Sequence, residues 1–512
     1  MKRHLRLILC ALAAYVLLLL LLVAAESHGE GATIRGFWDA VWFSIITMTT
    51  VGYGDLSPVT PLGRVLGVVF ALCSIGILTA LIGVGLSLLG GEALPRLRLR
   101  FGRGRKWYVF ADDGADSAAL ASALRGEDRD CLLLFPAGES TRVGGEKVLR
   151  MDWSAAEIKK LRGGTEGVKL FFLGADERRN CADALAACGE GLECCCMSDD
   201  APGQAPEKLQ LFSPDEAMSR CYWKEHPLPS EEKTVLLIGC GERGGALLER
   251  ALLTNVFPAG RRVEYHVFDD TVRFAALHPE IVRALAADRA DEDRLVFHPE
   301  SWTEARALIR GADRIIFCFD SDGENIKACE RLRAWFVSSA AVHVRLGRGI
   351  PGLVCFGTRE SFMRPEFVIK DELNRRARLM NEIYNEAAAS PRAWEELGPF
   401  LRQSNIAAAD HLIVKARCLL GDDTLTELSA EGCRAAAEKW RALSDGSRTE
   451  LLETEHRRWM RFHQMYNWSY DPVRDNALRR HPLILPFGEL DAEEQEKDAY
   501  AWEMLGRLAE KQ

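Results

Sequence analysis

Three features are scarce in this 512-residue sequence, and each scarcity argues against a class of site or partner. Charged residues are few before residue 95, where Leu, Val, Ala and Gly dominate. Basic residues form no long face and the net charge is −9, so no nucleic-acid partner is expected. No two of the 15 cysteines have the C-x-x-C spacing of a zinc site. The cysteines include the run Cys194–Cys196; reduced cytosolic thiols are the simplest interpretation of all 15, with a structural or redox role as the alternative.

Two uncharged segments have the composition of membrane spans. The first runs from Leu7 to Ala25 behind three basic residues, and the second runs from Val65 to Gly91 ahead of a basic stretch. A spanning helix needs about 20 apolar residues. By the positive-inside rule both chain ends are cytoplasmic and residues 26–61 face outside. A cleaved signal peptide is the alternative for the first segment, whose apolar run is longer than the ~7–15 residues usual in signals.

A re-entrant loop is predicted between the two spans. A short apolar helix leads into Thr50-Val51-Gly52-Tyr53-Gly54, which is the potassium filter sequence. The carbonyls of the first four residues and the Thr50 hydroxyl would replace the hydration shell of K⁺. Glycine alternates with bulkier residues because consecutive inward carbonyls demand dihedrals that L-residues tolerate poorly. One chain cannot enclose such a path, so a homotetramer is expected.

Residues 42–64 resemble the pore of two-transmembrane bacterial potassium channels. The similarity rests on Trp42-Phe43, the filter, Asp55 and the segment Ser57–Arg64. Ile46 departs from it, because some members have a glutamate there that pairs with the aspartate behind the filter. The resemblance implies a helical pore domain over 1–94, with a pore helix at about 37–49 and the filter at 50–54.

Gly76 lies midway along the second predicted span, where a glycine costs about 1 kcal/mol relative to alanine. It is either a gating hinge or, with Gly83 and Gly85, a site of close helix packing.

After a basic linker, 95–106, short apolar strands alternate with helices, which predicts parallel α/β sheets. The pattern occurs over 107–200 and again over 233–360, with a connector rich in Pro, Gly and charge at 201–232. In the second region Gly239, Gly241 and Gly244 join a strand to a helix, and the next strand ends in Asp269-Asp270. Such glycines let a phosphate approach the helix, and the carboxylates can hold ribose hydroxyls. NAD(H), ATP or ADP are the candidate ligands.

The first region has Ala111–Asp116 where the glycines would be, so no dinucleotide is expected there. Tandem units directly after a pore helix resemble the regulator-of-potassium-conductance domains, which are TrkA-N-like Rossmann units that form gating rings. The same fold serves nicotinamide dehydrogenases, but no acid–base or nucleophile constellation stands beside the glycine loop. We therefore expect no enzyme activity, and we interpret Cys240 and His266 as buried members of a turn and a strand.

Helical periodicity dominates from about residue 368 to 512. From about Glu450 to the end, this region is similar to the repeat domain named after ryanodine receptors. The matching pieces are Glu455-His456-x-x-Trp459, Trp468-x-Tyr470-x-Pro472-Val473-Arg474-Asp475, His481-Pro482-Leu483 and Leu490–Asp498. The resemblance implies an α-rich sensor whose pocket stacks a base and grips phosphate. Candidate contacts are His456, Arg457, Trp459, Trp468, Tyr470 and Asn476, and for the two tryptophans a place in the core is favoured over a ligand contact.

The combined expectation is a multi-pass homotetrameric potassium channel in the bacterial inner membrane, with both termini cytoplasmic. A nucleotide-like ligand in the Rossmann-like or ryanodine-receptor-type domains would gate it. Ionic homeostasis and a stress or anti-phage effector role both fit a pore that dissipates a potassium gradient. The alternative is a non-conducting receptor that uses the pore fold as a scaffold in the lipid bilayer.

Overall fold

The computed structural model describes residues 2–72, 83, 93–198, 206–289, 292–388 and 390–511. Its residues fall into two compact units, Met1–Phe101 and Gly102–Gln512. The proposed hinge residue Gly76 lies outside the described residues. Within the described ranges, no helix combines the length and the apolar character needed to cross a membrane.

The amino-terminal unit is helical. Its helices are α1 (Lys2–Glu26), α2 (Phe37–Met48), α3 (residues 61–72 of the described chain) and α4 (Ala93–Phe101). Helix α2 begins at a cap in which Asp39 Oδ2 accepts hydrogen bonds from the backbone amides of Gly36 and Arg35. The end of α1 is tied to the start of α3, because the fully buried Glu26 accepts hydrogen bonds from Val59 N and Thr60 N.

The larger unit begins with a six-stranded sheet in which every pairing is parallel, in the order β5-β2-β1-β6-β7-β8. Its elements are β1 (Trp107–Phe110), α5 (Ala115–Glu127), β2 (Leu132–Phe135), the hairpin strands β3 (Arg142–Val143) and β4 (Glu146–Lys147), β5 (Leu149–Arg150), α6 (Ala155–Arg162), β6 (Val168–Phe172), α7 (Glu177–Gly189), β7 (Glu193–Met197), β8 (Leu209–Phe212) and α8 (Pro214–Glu225).

A second six-stranded parallel sheet repeats the same topology, in the order β11-β10-β9-β12-β13-β14. Its elements are β9 (Thr234–Ile238), α9 (Glu242–Thr254), β10 (Glu264–Phe268), α10 (Thr271–Leu277), α11 (Pro279–Ala286), β11 (Arg294–His298), α12 (Arg306–Gly311), β12 (Arg314–Phe317), α13 (Asp322–Trp335), β13 (Ala341–Arg345) and β14 (Val354–Phe356). Both sheets are doubly wound, so the predicted α/β class is confirmed for this part of the chain.

The connector predicted at 201–232 is structured where it is described, from residue 206. It supplies β8, the sixth strand of the first sheet, and helix α8. The strand was hidden because its apolar run is short and lies among Pro and charged residues. Ser213 caps α8 by accepting a hydrogen bond from Glu216 N, and Trp223 of α8 donates its indole N–H to Leu247 O of α9. The segment therefore joins the two sheets rather than separating them.

The carboxyl-terminal part is mostly helical, as its periodicity predicts. Its elements are α14 (Arg359–Phe362), α15 (Pro365–Val368), α16 (Arg375–Ala387), α17 (Pro399–Leu420), α18 (Ala430–Arg441), α19 (Asp445–Met465), β15 (Ser469–Tyr470), β16 (Arg480–His481), α20 (Ala492–Lys497) and α21 (Ala499–Lys511). The two short strands pair in parallel within the segment that links α19 to α20.

Buried ion pairs fasten the helical part to the rest of its unit. Asp410 of α17 accepts hydrogen bonds from Arg220 of α8 (Nε to Oδ2, 2.8 Å) and from Arg250 of α9 (NH1 to Oδ2, 3.3 Å). Both arginines are almost fully buried. The carboxylate of Asp410 thus links α17 of the helical part to both α8 and α9.

Acid is expected to destabilise this unit before its carboxylates titrate. His411 is fully buried, with Nε2 2.9 Å from Val256 O. Burial, followed by the charge of Lys415, lowers the pKa of His411 from 6.5 to about 3. Burial also lowers the pKa of His343 and of His463 to about 3. Below the ordinary pKa the unfolded chain binds protons that the folded chain excludes, so stability falls as the pH falls, by up to about 1.4 kcal/mol per pH unit for each histidine.

The measurement is the unfolding midpoint of the full chain between about pH 7 and about pH 5, where the histidine contribution precedes that of ordinary carboxylates. His411→Gln keeps a donor for Val256 O but cannot be protonated, so its midpoint should depend less on pH. Lys415, Glu455 and Arg458 are the charged groups around this histidine, and both proteins contain them, so the comparison isolates the contribution of His411. An identical pH slope in the variant would contradict the assignment.

Candidate ion and nucleotide sites

The filter loop is shaped by hydrogen bonds to the end of α2. The backbone amides of Val51 and Gly52 both donate to Ile46 O, at 3.0 Å and 3.2 Å. Because peptide bonds are trans, the carbonyls that precede these amides, those of Thr50 and Val51, point away from α2. These are two of the four carbonyls predicted to bind K⁺.

Left-handed backbone alternates along the same loop. Thr50, Gly52 and Gly54 have φ of 56°, 57° and 75°. A β-branched residue such as Thr50 rarely adopts this conformation, which is therefore held by the surrounding bonds. A Cβ on Gly52 or Gly54 would meet no neighbour, so these positions require glycine for their φ and not for space within one chain.

An aromatic residue of α2 braces the outer side of the loop. Trp42 donates its indole N–H to Asp55 Oδ2 at 3.0 Å, and its ring stacks on Tyr53 at 6.3 Å between centroids. Ile46, where the resemblance would place a glutamate, is buried and cannot pair with Asp55. In the isolated chain, the Tyr53 side chain is 70% exposed and the Val51 side chain is 51% exposed. So much exposed apolar surface is typical of residues that contact another chain.

The glycine loop of the second sheet brings its predicted residues together at the carboxyl ends of β9 and β10. Gly239 has φ 92°, and a Cβ there would lie 2.7 Å from Phe319 N. A Cβ on Gly241 would lie 2.3 Å from Asp320 Oδ2, and one on Gly244 would lie 1.9 Å from Gly239 O. Gly239 and Gly244 are thus required by close packing against backbone, whereas the neighbour of Gly241 is a side-chain carboxylate.

Asp269 and Asp270 follow β10 and lie beside this loop. Cys240 N donates to Asp269 O at 3.0 Å, and both aspartates have positive φ, 60° and 54°. Burial, followed by the neighbouring Asp270 charge, raises the pKa of Asp269. Their carboxylates can accept hydrogen bonds from ribose hydroxyls.

A residue that sequence reasoning missed fills the amino terminus of α9. Asp320 Oδ2 accepts from Glu242 N at 3.2 Å and Asp320 Oδ1 accepts from Arg243 N at 3.0 Å. Arg243 also donates a side-chain hydrogen bond to Asp320 O. These are the amides that a bound phosphate would use, so a phosphate must displace the carboxylate. Its position in the sequence was the one available signal for this role. Asp320 follows β12, and β12 pairs in parallel with β9, so both strands end beside the glycine loop.

The first sheet has an equivalent arrangement without the glycines. Asp112 Oδ1 accepts hydrogen bonds from Gly114 N at 2.8 Å and from Ser117 Oγ at 3.0 Å. The carboxylate of Asp112 therefore lies at Gly114, the residue before α5, near the place where a dinucleotide phosphate would lie.

A cavity of about 500 Å³ opens in the helical part, beside α19. Its lining includes three aromatic residues, several cationic or polar ones and three acidic ones, Glu455, Glu494 and Asp498. They include Tyr384, Asn405, His456, Arg458, Trp459, Arg474, His481, Lys497 and Tyr500. An aromatic surface next to guanidinium and ammonium groups can stack a base and bind phosphate.

Arg458 is the most strongly positioned group of this cavity. Its side chain is 6% exposed and grips the buried Glu455 through Nε and NH2, with contacts of 2.7–3.0 Å. Lys415 Nζ lies 2.8 Å from the same carboxylate. Burial alone would raise the pKa of Glu455, but Arg458 and Lys415 lower it well below its usual range. Arg458 NH1 is buried and has no hydrogen-bond partner among the described residues.

The six candidate contacts of this region separate in the structure. His456 and Trp459 line the cavity, with ring centroids 5.7 Å apart. Arg457 instead donates to Phe257 O at 2.6 Å, next to the second sheet. Trp468 is buried against Phe400 in the core.

Tyr470 and Asn476 lie on the exposed segment between α19 and α20. Asn476 Oδ1 accepts a hydrogen bond from Arg474 Nε at 3.0 Å, whereas Arg474 itself lines the cavity. Sequence reasoning thus missed Arg458 and Arg474 as candidate contacts. Arg458 lies two positions after His456, and Arg474 lies within the matching piece that begins at Trp468.

Comparison with known proteins bears on the first unit. Residues 4–90 match the family model described as ion channel, so the predicted ion-channel pore region is confirmed at this level. Ion channels are membrane proteins, and the match supports a membrane location.

Individual relatives match over short stretches of the chain. A voltage-gated potassium channel of Aeropyrum pernix is 48% identical over 58 residues, 11% of this chain and 20% of that protein. The calcium-gated potassium channel TvoK of Thermoplasma volcanium is 46% identical over 48 residues, 9% of this chain and 14% of that protein. The chain thus spans about a fifth or less of these relatives.

Solved structures of the GsuK channel are similar over a longer stretch. The complex with ADP gives a TM-score of 0.41 at 15% identity, covering 72% of this chain and all of that chain. The complex with NAD gives 0.40 at 12% identity, covering 73% and 85%.

Proposed function

We propose that this protein is a tetrameric potassium-selective channel whose gate responds to a nucleotide-like ligand bound in its larger unit. The filter loop carries the proposal. Its amides bond to α2, its Thr50 and Val51 carbonyls turn away from α2, and glycine supplies two of its three left-handed positions. A single chain presents only one wall of such a path, and carbonyl coordination of K⁺ needs several walls around an axis.

The match of residues 4–90 to ion channels supports the same conclusion. Both termini would then be cytoplasmic and the larger unit would act as the sensor. Homeostasis and defence against stress or phage remain two uses of one ligand-gated pore.

The cavity beside α19 is the better candidate for the ligand. At the glycine loop, the helix amides already donate to Asp320, so phosphate binding there must break existing bonds. Beside the cavity, Arg458 Nη1 is buried and has no hydrogen-bond partner among the described residues, and an anionic oxygen that reached it would satisfy it. Trp459 offers a half-buried ring for a base.

Helix α19 can carry a signal out of this cavity. One side bears Arg458 and Trp459 at the cavity, while Arg457 and Arg461 bond to groups of the second sheet's segment. A ligand shifts a closed–open equilibrium only through its different affinity for the two states. A change in the position of α19 would alter both sets of contacts together.

The test is potassium flux in liposomes that hold the purified full chain. We expect K⁺ flux in excess of Na⁺ flux, switched by one member of a panel of ADP, ATP, NAD⁺ and ADP-ribose. Gly52→Asp should abolish flux, because a side chain at φ 57° disturbs the filter and adds charge to it. Gly164→Asp adds the same charge at an open position of a loop in the larger unit and should leave flux unchanged.

The same assay locates the ligand. Arg474→Gln should weaken the switching ligand about tenfold while leaving maximal flux intact, as expected for one charged contact. Ligand binding without flux, in tetramers that are folded, would overturn the channel and support the non-conducting receptor instead. Flux that no ligand changes would retain the pore and reject the sensor.

A further inference from the structure

Four cysteines of the first sheet form two facing pairs. Cys181 and Cys188 lie on α7, seven positions apart, which is about two helical turns. Cys194 and Cys196 lie on β7, two positions apart, so they share one face of the strand. Helix α7 runs antiparallel to β7, because it is the crossover between the parallel strands β6 and β7. The early helix cysteine therefore meets the late strand cysteine.

One sulfur–sulfur distance and one thiol–thiol interaction agree with this pairing. Cys181 Sγ and Cys196 Sγ are 3.6 Å apart, and the thiols of Cys188 and Cys194 interact with each other. The two sulfur atoms are in van der Waals contact, and they must approach each other by about 1.5 Å more to reach the ~2.05 Å of a disulfide bond. Cys195 points the other way, into the hydrophobic core that lies between the sheet and its helices.

We propose that Cys181–Cys196 and Cys188–Cys194 are two oxidation sites, each of which a peroxide converts to a disulfide. The first step leaves a sulfenic acid on one thiol and releases water. The second thiol attacks that sulfur, forms the S–S bond and releases a second water. Two thiols and one peroxide thus give one disulfide and two waters, with the cysteine sulfurs oxidised and the peroxide reduced. This site is independent of the proposed channel function.

Burial assigns the order of these steps. Cys181 and Cys188 are half-buried on the helix, whereas Cys194 is 2% exposed and Cys196 is completely buried. A small oxidant reaches the helix thiols first, and the strand thiols then resolve them. Burial also raises the pKa of Cys188 and of Cys194, so oxidation of that pair should accelerate as the pH rises.

The test uses the full chain in detergent with hydrogen peroxide. Free thiols are blocked under denaturing conditions with N-ethylmaleimide, disulfides are then reduced, and the released thiols are labelled with iodoacetamide. Cleavage after Arg179 and Lys208 releases one peptide that contains five cysteines. We expect it to carry N-ethylmaleimide on Cys195 alone and iodoacetamide on the other four.

Two variants separate the pairs. Cys181→Ser should leave Cys196 blocked by N-ethylmaleimide while the second pair still forms, and Cys195→Ala should keep both disulfides. If Cys196 of the Cys181→Ser variant carried iodoacetamide instead of N-ethylmaleimide, the proposed pairing would be overturned. A peptide in which N-ethylmaleimide blocks all five thiols after peroxide treatment would overturn it as well.

Discussion

Gly244→Ala is expected to cost the larger unit about 3 kcal/mol of its free energy of unfolding. A Cβ at this position would lie 1.9 Å from Gly239 O and 3.1 Å from Cys318 O. Both obstacles are backbone atoms at the ends of buried strands, which cannot rotate aside as a flexible side chain does. The loop must shift away from α9, and the backbone at Asp269, whose carbonyl accepts a hydrogen bond from Cys240 N of this loop, shifts with it. Thermal or denaturant unfolding of the full chain measures the loss.

The neighbouring glycine provides the control. A Cβ on Gly245 would make ordinary contacts, 3.8 Å from Phe274 Cδ2 and 3.9 Å from Cys240 O. Gly245→Ala should be neutral or stabilising by up to about 1 kcal/mol, because alanine is the better helix former. Equal losses in the two variants would mean that the effect comes from helix propensity or expression and not from the close approach of strand and helix.

Arg461→Met should remove about 3 to 5 kcal/mol by leaving buried carboxylates unpaired. Arg461 of α19 is 2% exposed, with NH1 2.7 Å from Asp293 Oδ2 and NH2 paired with Glu292. Burial alone would lower the pKa of Arg461, but the two carboxylates raise it. Asp293 Oδ1 also accepts a hydrogen bond from Val263 N at 2.7 Å, so its carboxylate cannot turn to water. Methionine preserves most of the packing and removes only the charge and the donors.

An exposed pair on a neighbouring helix is the matched control. Arg283 is 71% exposed and pairs with Glu280 at 2.7 Å on α11, which packs against α19. Arg283→Met should change the free energy of unfolding by less than about 1 kcal/mol. The measurement is the unfolding midpoint of each full-length variant in denaturant. Similar midpoints for both variants would show that the buried pair adds no stability to the junction between α19 and the second sheet.

Most of the α/β part could be predicted from sequence because its core strands are short apolar runs separated by helices. The runs at Trp107, Thr234 and Arg314 all became central strands. The outer strands β5, β8 and β14 were not predicted. Two to four residues among polar neighbours have no periodicity, and they become strands only because an existing edge supplies their hydrogen bonds.

The sites followed the same division. Residues that act through their backbone, such as Gly52 and Gly244, were identifiable because few other residues tolerate their φ or their close contacts. Residues whose role depends on where the side chain points were harder to identify from sequence. His456 and Arg457 are adjacent in sequence, yet His456 lines the cavity and Arg457 turns to Phe257 O.

By itself, the sequence determined the filter loop, the glycine loop and the alternation of strands and helices, since each depends on local backbone geometry or on burial periodicity. Only the tertiary structure decided that Asp320 accepts hydrogen bonds from the first amides of α9, that Arg458 lines a cavity and keeps a buried, unpartnered Nη1, and that Cys181 faces Cys196. These facts join residues distant in sequence, and their contacts exist only once the sheets and helices have packed.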